Sequence, residues 1–447
     1  MINSPSSLDE LWGELNSRWP ESRIAPSLAR IASVMELMGD PQRSYPVITI
    51  AGTNGKSSTA RMIDSLLRSF GLRTGLYTSP HLVDPRERIC LEGEPIEAGR
   101  LLDAWRDIAP YVAIVDQNST ADGGTTLSYF EVMTALAHAA FADAPVDVAV
   151  IEVGMGGSWD ATNVADAAVA VITPIGLDHT EYLGETLTEI AGEKAGVIKA
   201  GATVVVGQQD LAAAEVILLR CAEQDAAVAR EGLEFAVTER AVAVGGQLLS
   251  LRGLRGSYPD IFLPLFGIHQ AHNASLALAA VESFFGGDSA LDADAVREGF
   301  ATTVSPGRLQ IVRTGPTVLV DAAHNPHGAA SLAAAIEDSF QFTSVLAVIG
   351  MLSDKDAAGF LEVMQTVVHE VVITEPQSPR AMPAAELAAL AAEILGDDRV
   401  TLAPDFAGAL DVAMARADEV GNDGGAGIII TGSVVLVGEA LRALGKA

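Results

Sequence analysis

The chain has 447 residues, of which 49% are hydrophobic, and a formal net charge of −30 at pH 7. A surface this acidic repels nucleic acid and anionic membranes, and no apolar run reaches the roughly 18 residues of a membrane span. The first residues contain no basic segment with an apolar core behind it, and two cysteines are too few for a disulfide framework or a metal cluster. We therefore expect a cytoplasmic, monomeric protein of two or three domains that binds small molecules, without nucleic acid or membrane partners.

The most informative segment follows the first predicted strand, at residues 47–50. The sequence continues A-G-T-N-G-K-S-S, and a helical pattern occupies residues 60–70. Glycines let backbone N–H groups turn toward an anion, and a helix N-terminus and Lys56 add positive charge. Ser57 can ligate the Mg²⁺ that accompanies a nucleotide. The segment predicts a phosphate loop for ATP or GTP, although Ile50 stands where the general pattern G-x-x-x-x-G-K-[ST] has a glycine.

Strand-like runs then alternate with helical patterns. Further strands are predicted at 146–153, 169–173 and 202–207, a helix at 186–198, and short antiparallel strands at 242–246 and 248–251. This alternation is typical of an α/β fold with a mostly parallel sheet and helices on both faces. Ligands of such sheets bind beyond the carboxyl ends of the strands.

A second unit begins near the sequence S-P-G-R at residues 305–308. It repeats the alternation, with strands at 318–320, 345–349, 371–374 and 428–431 and helices that begin near 329, 357 and 384. We expect a P-loop-type domain of residues 1–304 and a smaller, Rossmann-like C-terminal α/β domain of residues 305–447, joined by a Pro-Gly hinge.

Four more segments place polar groups at predicted strand ends. They are T-S-P-H-L at 78–82 with E-R-I at 87–89, the acidic and glycine-rich run 152–163, D-H-T at 178–180 leading to G-E-K-A-G at 192–196, and D-A-A-H-N-P at 321–326. Together with the phosphate loop, this set resembles the folylpolyglutamate synthase/dihydrofolate synthase family of the Mur-ligase superfamily over nearly the whole chain. The resemblance implies an enzyme that uses ATP to add L-glutamate to the carboxylate of dihydropteroate and of folates.

The resemblance also implies roles for individual residues in binding the nucleotide. The nucleotide-binding set is Thr53, Asn54, Gly55, Lys56, Ser57, Asn273, Arg308 and Asp321. Within it, Asn273 of the segment G-I-H-Q-A-H-N would meet adenine, Arg308 the phosphates and Asp321 the ribose.

The family's catalytic and metal-binding residues match further positions. Ser79, Glu152 and His179 would hold Mg²⁺, in a centre with two magnesium sites. Lys194 matches the family's carbamylated lysine, whose formation from CO₂ needs a neutral amine and hence a lowered pKa. His324 would lie near the incoming glutamate and, with Lys56 and Lys194, completes the catalytic set.

The substrate side is implied by a third group of residues. These are Ile24, Ala25, Pro26, Arg88, Ser128, Trp159, Asp160 and Ser433. Arg88 would face a substrate carboxylate. Many bifunctional members have aspartate where Ala25 stands and arginine where Ser158 stands. Alanine at position 25 offers the pterin no acceptor, so we expect dihydropteroate to bind more weakly here.

Other interpretations of the same residues remain open at the level of sequence. Glu152 could be a helix N-cap or an ion-pair partner, Lys194 an exposed lysine paired with Glu193, and Asn273 a helix cap. Arg308 could be a surface arginine. The protein could be a folylpolyglutamate synthase without dihydrofolate synthesis, another Mur-type ligase, or a non-catalytic ATP-binding module. The presence of Glu152, Lys194 and His324 argues against the last of these.

Overall fold

An eight-stranded sheet forms the centre of the first domain in a computed structural model that describes residues 5–20, 25–420 and 425–446. Its strands are β1 (Val47–Ala51), β2 (Thr74–Tyr77), β3 (Ile89–Leu91), β4 (Glu94–Pro95), β5 (Val148–Glu152), β6 (Val169–Ile172), β7 (Thr203–Val206) and β8 (Ala227–Arg230). Their order is β4-β3-β2-β5-β1-β6-β7-β8. Only the β2–β3 and β3–β4 pairs among them are antiparallel.

Helices cover both faces of this sheet. They are α1 (Leu8–Asn16), α2 (Ala29–Leu37), α3 (Lys56–Ser69), α4 (Ala98–Ala121), α5 (Tyr129–Asp143), α6 (Thr180–Leu183), α7 (Leu187–Ala195), α8 (Leu211–Glu223), α9 (Ile268–Phe285) and α10 (Ala293–Ala301). Successive side chains of a strand point to opposite faces. Accordingly, Ile48 and Ile50 pack with α3 and α9, whereas Val47 packs with α4 and α5. The predicted mostly parallel sheet with two covered faces is confirmed.

A small antiparallel sheet follows the large one along the chain. It contains β9 (Ala236–Ala243), β10 (Gly246–Arg252) and β11 (Ser257–Leu263), in the order β11-β10-β9. The predicted strand at 242–246 is wrong, because Val244 and Gly245 form the turn between β9 and β10. Gly245 has a φ of +81°, a conformation typical of hairpin turns rather than strands.

The C-terminal domain is built on a six-stranded sheet. Its strands are β12 (Gln310–Thr314), β13 (Thr317–Val320), β14 (Ser344–Ile349), β15 (Glu370–Ile373), β16 (Val400–Leu402) and β17 (Ala426–Thr431), in the order β12-β13-β17-β14-β15-β16. Its helices are α11 (Pro326–Ser339), α12 (Ala357–Met364), α13 (Ala384–Leu395), α14 (Phe406–Val420) and α15 (Val434–Ala443). Ile428 and Ile430 of β17 pack with α14 and α15, and Ile429 packs on the opposite face. This confirms a separate α/β domain.

The two sheets bring their strand ends to one cleft. Asn54, just beyond β1, has its Nδ2 atom 2.7 Å from Nδ1 of His327 in α11, and Ser58 Oγ lies 3.1 Å from Ser305 Oγ. Across the described residues, no helix combines the length and apolar character needed to traverse a membrane. The cleft is where the residues predicted for nucleotide and metal binding are found.

Candidate active site

The phosphate loop connects β1 to α3 and is packed tightly against its neighbours. Gly52 has a φ of +145°, and a Cβ atom there would lie 1.9 Å from Thr173 Oγ1. Gly55 has a φ of +86°, and a Cβ atom there would lie 2.6 Å from Asn273 Oδ1. Both positions therefore require glycine. Helix α3 begins at Lys56, four residues before the predicted start, because Gly55 ends the loop in a left-handed conformation.

Two lysines meet at this loop. Lys56 Nζ donates hydrogen bonds to the carbonyl oxygens of Gly52, at 3.2 Å, and Thr53, at 3.1 Å. Lys194 Nζ, from α7, donates to the same Gly52 oxygen at 2.7 Å. Burial, together with the charge of Lys56, lowers the pKa of Lys194 to about 7. The alternative of an exposed lysine paired with Glu193 is wrong, because Lys194 is 4% exposed.

Glu152 is the carboxylate that contacts the first residues of α3. It ends β5 and is 2% exposed. Its Oε1 accepts from Ser57 Oγ at 2.8 Å, and its Oε2 accepts from the Ser79 N–H at 3.2 Å. Burial raises the pKa of Glu152, whereas the charge of Lys56 lowers it. The interpretation of Glu152 as a helix N-cap is wrong, because no helix begins there.

The donors around Glu152 suit a hard divalent cation. A carboxylate and the hydroxyls of Ser57 and Ser79 supply the oxygen ligands that Mg²⁺ prefers. His179 follows Asp178 at the start of α6, and burial lowers its pKa to about 4, so its imidazole is neutral at pH 7. No group of three or more histidine, cysteine, aspartate or glutamate side chains gathers closely enough to hold a metal in the described part of the chain. The metal role of Ser79, Glu152 and His179 stays a prediction.

A cavity of about 220 Å³ opens beside the loop, between the two domains. From the predicted nucleotide set, its lining includes Asn54, Gly55, Ser57, Asn273, Arg308 and Asp321, together with His324. Asn273 lies inside α9 and is 4% exposed, so it is not a helix cap. The two oxygens of Asp321 accept hydrogen bonds from the N–H groups of Leu309 and Ala323, both at 2.8 Å. Because Arg308 lines this cavity, it is not the surface arginine of the alternative interpretation.

Asp178 joins the two domains, and sequence analysis assigned it no role. Its Oδ1 accepts from Lys355 Nζ at 3.0 Å, and its Oδ2 accepts from Asn325 Nδ2 at 3.0 Å. Burial would raise the pKa of Asp178, but the charges around it, including Lys355, lower it overall. The sequence contains only five lysines, and this rarity was a signal that Lys355 has a specific role.

His324 lies in the same cluster. Its Nδ1 is 2.8 Å from the Ala322 carbonyl oxygen, which can only accept, so Nδ1 carries the proton. Its Nε2 is 3.9 Å from Asp178 Oδ2. Burial and the charge of Lys355 lower the pKa of His324 to about 4. The imidazole is therefore neutral at pH 7, with Nε2 free of a proton.

Two of the residues predicted for the pteroate, Ala25 and Ser128, are connected at the start of α5. The Ala25 carbonyl accepts from Arg30 Nη2 at 2.9 Å, and Arg30 Nε lies 3.0 Å from Glu131 Oε1. Glu131 Oε2 accepts from the Ser128 N–H at 2.8 Å. The pair Arg30–Glu131, which sequence analysis missed, thus ties Ala25 to Ser128. Pro26 is exposed beside Ala25, and Ile24 lies outside the described residues.

Arg88 lies against Tyr129, the first residue of α5, whereas Trp159 and Asp160 belong to the loop after β5. Arg88 is buried, its Nε donates to His81 Nδ1 at 2.9 Å, and its guanidinium lies 5.1 Å from the ring centre of Tyr129. Asp160 is also buried, and its oxygens accept from the N–H groups of Met155 and Thr162 in its own loop. Trp159 is partly exposed beside it. The contacts of Asp160 hold the loop after β5, and its substrate role stays a prediction.

Ser433 lies in the C-terminal domain. It caps the N-terminus of α15, where its Oγ accepts from the Leu436 N–H at 3.2 Å, and it is 1% exposed. The structure therefore gives Ser433 a capping role, and its predicted contact with substrate remains untested.

Comparison with known proteins identifies the class to which this fold and site belong. Residues 50–281 match the Mur ligase middle domain, and residues 307–434 match the Mur ligase glutamate ligase domain. The fold and the phosphate-loop site are thus those of a Mur-type ligase. One similar protein, the dihydrofolate synthase/folylpolyglutamate synthase of Mycobacterium tuberculosis, is 52% identical over 97% of this chain and 93% of its own length. Its counterpart from Escherichia coli is 35% identical over 87% of this chain and 86% of its own.

Solved structures agree with these matches. The Mycobacterium tuberculosis folylpolyglutamate synthase complexed with ADP superposes with a TM-score of 0.95 at 52% identity, covering 99% of both chains. Escherichia coli FolC in complex with DHPP and ADP gives a TM-score of 0.84 at 32% identity, covering 100% of this chain and 99% of that one. The chain belongs to the dihydrofolate synthase/folylpolyglutamate synthase family of Mur ligases, which confirms the family predicted from the motifs.

Proposed function

We propose that this protein is an ATP-dependent ligase that joins L-glutamate to the carboxylate of dihydropteroate and of folates, with release of ADP and phosphate. The observation that carries this function is the convergence of Lys56, Lys194 and Glu152 on one phosphate loop beside an inter-domain cavity. The relatives named for this activity, and the ADP found in their structures, support it.

The reaction needs ATP because a carboxylate is a poor acylating group at neutral pH. In the first step, a carboxylate oxygen attacks the γ-phosphorus of ATP and the bond from this phosphorus to the bridging oxygen breaks. ADP departs, and the product is an acyl phosphate. In the second step, the glutamate amine attacks the acyl carbon and phosphate departs with the electron pair of the broken C–O bond. The amine loses a proton to give the amide.

Each group of the site has a place in these steps. The Lys56 ammonium would bind the transferred phosphoryl group, as lysines of phosphate loops do. Ser79, Glu152 and His179 would hold Mg²⁺ in a two-metal centre, and such ions neutralise the charge that develops during phosphoryl transfer. Lys194, whose pKa of about 7 makes a neutral amine accessible, would carry a carbamate as an additional anion.

The nucleotide and the incoming glutamate would lie on opposite sides of the transferred phosphoryl group. Asn273 is the residue proposed for adenine, Asp321 for the ribose and Arg308 for the phosphates. His324 is neutral and its Nε2 can accept a hydrogen bond, so it can orient the attacking amine. The pteroate would bind where Ala25, Ser128 and Arg88 converge at the start of α5.

The decisive assay measures ADP release with every combination of ATP, acceptor and L-glutamate. We expect release only when all three are present, with both dihydropteroate and tetrahydrofolate as acceptors, and no release from Lys56→Ala. Turnover with tetrahydrofolate as the acceptor, but not with dihydropteroate, would favour the monofunctional folylpolyglutamate synthase. Nucleotide binding without release under any condition would favour a non-catalytic module.

We propose a cytoplasmic monomer whose two domains divide at residue 305, at the S-P-G-R segment that precedes β12. Sedimentation of the purified protein at several concentrations tests the monomer, and limited proteolysis near residue 305 tests the division.

A further inference from the structure

A second, smaller cavity lies between the two domains, beside the first two turns of α3. The first domain lines it with Ser57 and Arg61 of α3 and with side chains from residues 78–87, and the C-terminal domain contributes Arg308 and Val434 among others. The volume of this cavity is about 30 Å³, which is space for roughly two waters or one small tetrahedral anion.

Two arginines of the small cavity have no partner among the residues that the structure describes. Among the described arginines, the guanidinium groups of only three, Arg61, Arg100 and Arg308, make neither a hydrogen bond nor an ion pair. Arg100 is exposed on α4, where water solvates it. Arg61 and Arg308 are only partly exposed, and both line the small cavity. Two partly desolvated cations therefore face one cavity without an anion to compensate them.

The carboxylates nearby do not supply that anion, because backbone donors occupy their oxygens. Glu87 also lines the small cavity, and its two oxygens accept from the consecutive N–H groups of residues 82–84, at 2.8, 3.0 and 2.7 Å. Asp321 accepts from two backbone N–H groups and forms no ion pair with Arg308. The lining of the small cavity thus keeps an excess of positive charge.

We propose that the small cavity is a binding site for inorganic phosphate and receives the phosphate that ligation releases. The inference rests on the proposed function for the source of this ligand. Ser57 and Arg61 are four residues apart on α3, so their side chains lie on the same face, with Cβ atoms about 6 Å apart. Ser57 and Arg308 line both the small cavity and the large one. The site therefore begins one helical turn beyond the phosphate loop.

The chemistry of the product matches this lining. When the glutamate amine displaces phosphate from the acyl carbon, the ion departs with the electron pair of the broken C–O bond and is multiply charged. Guanidinium groups bind phosphate oxygens through pairs of parallel hydrogen bonds. L-Glutamate is too large for a cavity of about 30 Å³, whereas a single phosphate fits. Moving the phosphate there frees the γ-phosphate position for the next ATP.

Calorimetric titration of sodium phosphate into the full-length protein tests the site. The protein is first saturated with Mg²⁺ and a non-hydrolysable ATP analogue, so that the γ-phosphate position is filled and only a second site responds. We expect the wild type to bind a single phosphate. Arg61→Met should weaken this binding tenfold or more, because a charge-assisted donor is lost.

Two further variants give this titration its controls. Arg61→Lys keeps the charge but not the planar fork of donors, so its affinity for phosphate should lie between those of the wild type and Arg61→Met. Arg100→Met removes the exposed arginine that also lacks a partner among the described residues, and it should bind phosphate as the wild type does.

First-turnover kinetics tests whether the enzyme's own product enters the small cavity. A fluorescent phosphate sensor should detect phosphate in solution only after the amide has formed in the wild type, and Arg61→Met should shorten this delay. An equal delay in both proteins would mean that the cavity takes phosphate from solution, which overturns its role for the product.

Two results of the titration overturn the anion site itself. They are a wild type that binds no phosphate beside the ATP analogue, and an Arg61→Met variant that binds it as tightly as the wild type. Neither result affects the ligase function, which the ADP-release assay decides separately. Conversely, a protein that never releases ADP overturns the ligase function and the product role, whereas the titration still decides whether the cavity binds phosphate.

Discussion

The side chains of Lys56 and Lys194 share one hydrogen-bond acceptor, the carbonyl oxygen of Gly52, at 3.2 Å and 2.7 Å. Two ammonium groups this close repel each other, and the buried setting of Lys194 offers little water to offset the repulsion. The pKa of Lys194 is lowered to about 7, first by burial and then by Lys56. An unprotonated amine is therefore accessible at neutral pH, the form that reacts with CO₂.

Carbamylation of Lys194 can be observed directly. Protein equilibrated with ¹³C-bicarbonate should give a carbamate carbon resonance that is absent from Lys194→Ala. Because only the neutral amine reacts, the signal should grow as the pH rises through about 7. Lys199→Ala is the matched control and should retain the resonance, since Lys199 is part-exposed and donates to the Asn163 carbonyl instead.

Loss of ligation in Lys194→Ala, partly restored by acetate or formate, would link the anion to activity. A wild type without the resonance at any pH contradicts the carbamate.

Glu152→Gln should raise the Mg²⁺ concentration required for half-maximal activity by tenfold or more, at a nearly unchanged KM for glutamate. The amide keeps an acceptor for Ser57 Oγ but has no charge to attract the ion. Magnesium titrations of initial rate provide the measurement, with Glu362→Gln, an exposed glutamate in α12, as the control. A variant that changes only the glutamate KM would show that Glu152 is not a metal ligand.

The ion pair between Asp178 and Lys355 should stabilise the contact between the domains. Their side chains are 12% and 9% exposed, and they belong to different domains. Lys355→Met leaves a buried carboxylate without its cation, and we expect the free energy of unfolding in urea to fall by about 3 kcal/mol. Lys446→Met, at an exposed lysine beyond α15, is the control and should change this free energy little.

The effect of Lys355→Met should depend on pH in a defined direction. The pKa of Asp178 is lowered in the folded protein, so the pair stabilises the fold above the ordinary aspartate pKa of about 4. Stabilisation is lost as the pH falls below that value toward the lowered folded-state pKa. The difference between Lys355→Met and wild type should therefore shrink in acid. A constant difference between pH 7 and pH 3 would show that the pair contributes through packing alone.

Ala25→Asp should tighten dihydropteroate binding about tenfold and leave the constants for ATP and glutamate nearly unchanged. An aspartate would offer acceptor oxygens to the pterin, and one buried hydrogen bond contributes about 1–3 kcal/mol when its loss leaves a group unpaired. The Ala25 carbonyl is held by Arg30, so the side chain has a defined direction. Steady-state kinetics with dihydropteroate measures the effect, and Ala25→Asn separates hydrogen bonding from charge. An unaltered KM for dihydropteroate would show that Ala25 does not face the pterin.

Local patterns in the sequence were sufficient for the architecture and for the phosphate loop. The run V-I-T-I-A, which is buried on both faces, predicts a central parallel strand, and the glycines and lysine behind it define an anion-binding turn. Such signals depend on backbone conformation and on side-chain alternation within a few residues. The same local reasoning misplaced the strand at 242–246, because a two-residue turn interrupts an apolar stretch without changing its composition.

Only the tertiary structure decided which of the candidate side chains are neighbours. It also decided the protonation states of these side chains. Lys194 reaches the Gly52 carbonyl across 142 residues of sequence, and Lys355 reaches Asp178 across 177. Strand order and domain packing set these contacts, and burial sets the pKa of Lys194, because desolvation depends on everything that surrounds the amine. Sequence alone determined the residue types and the strand ends that carry them.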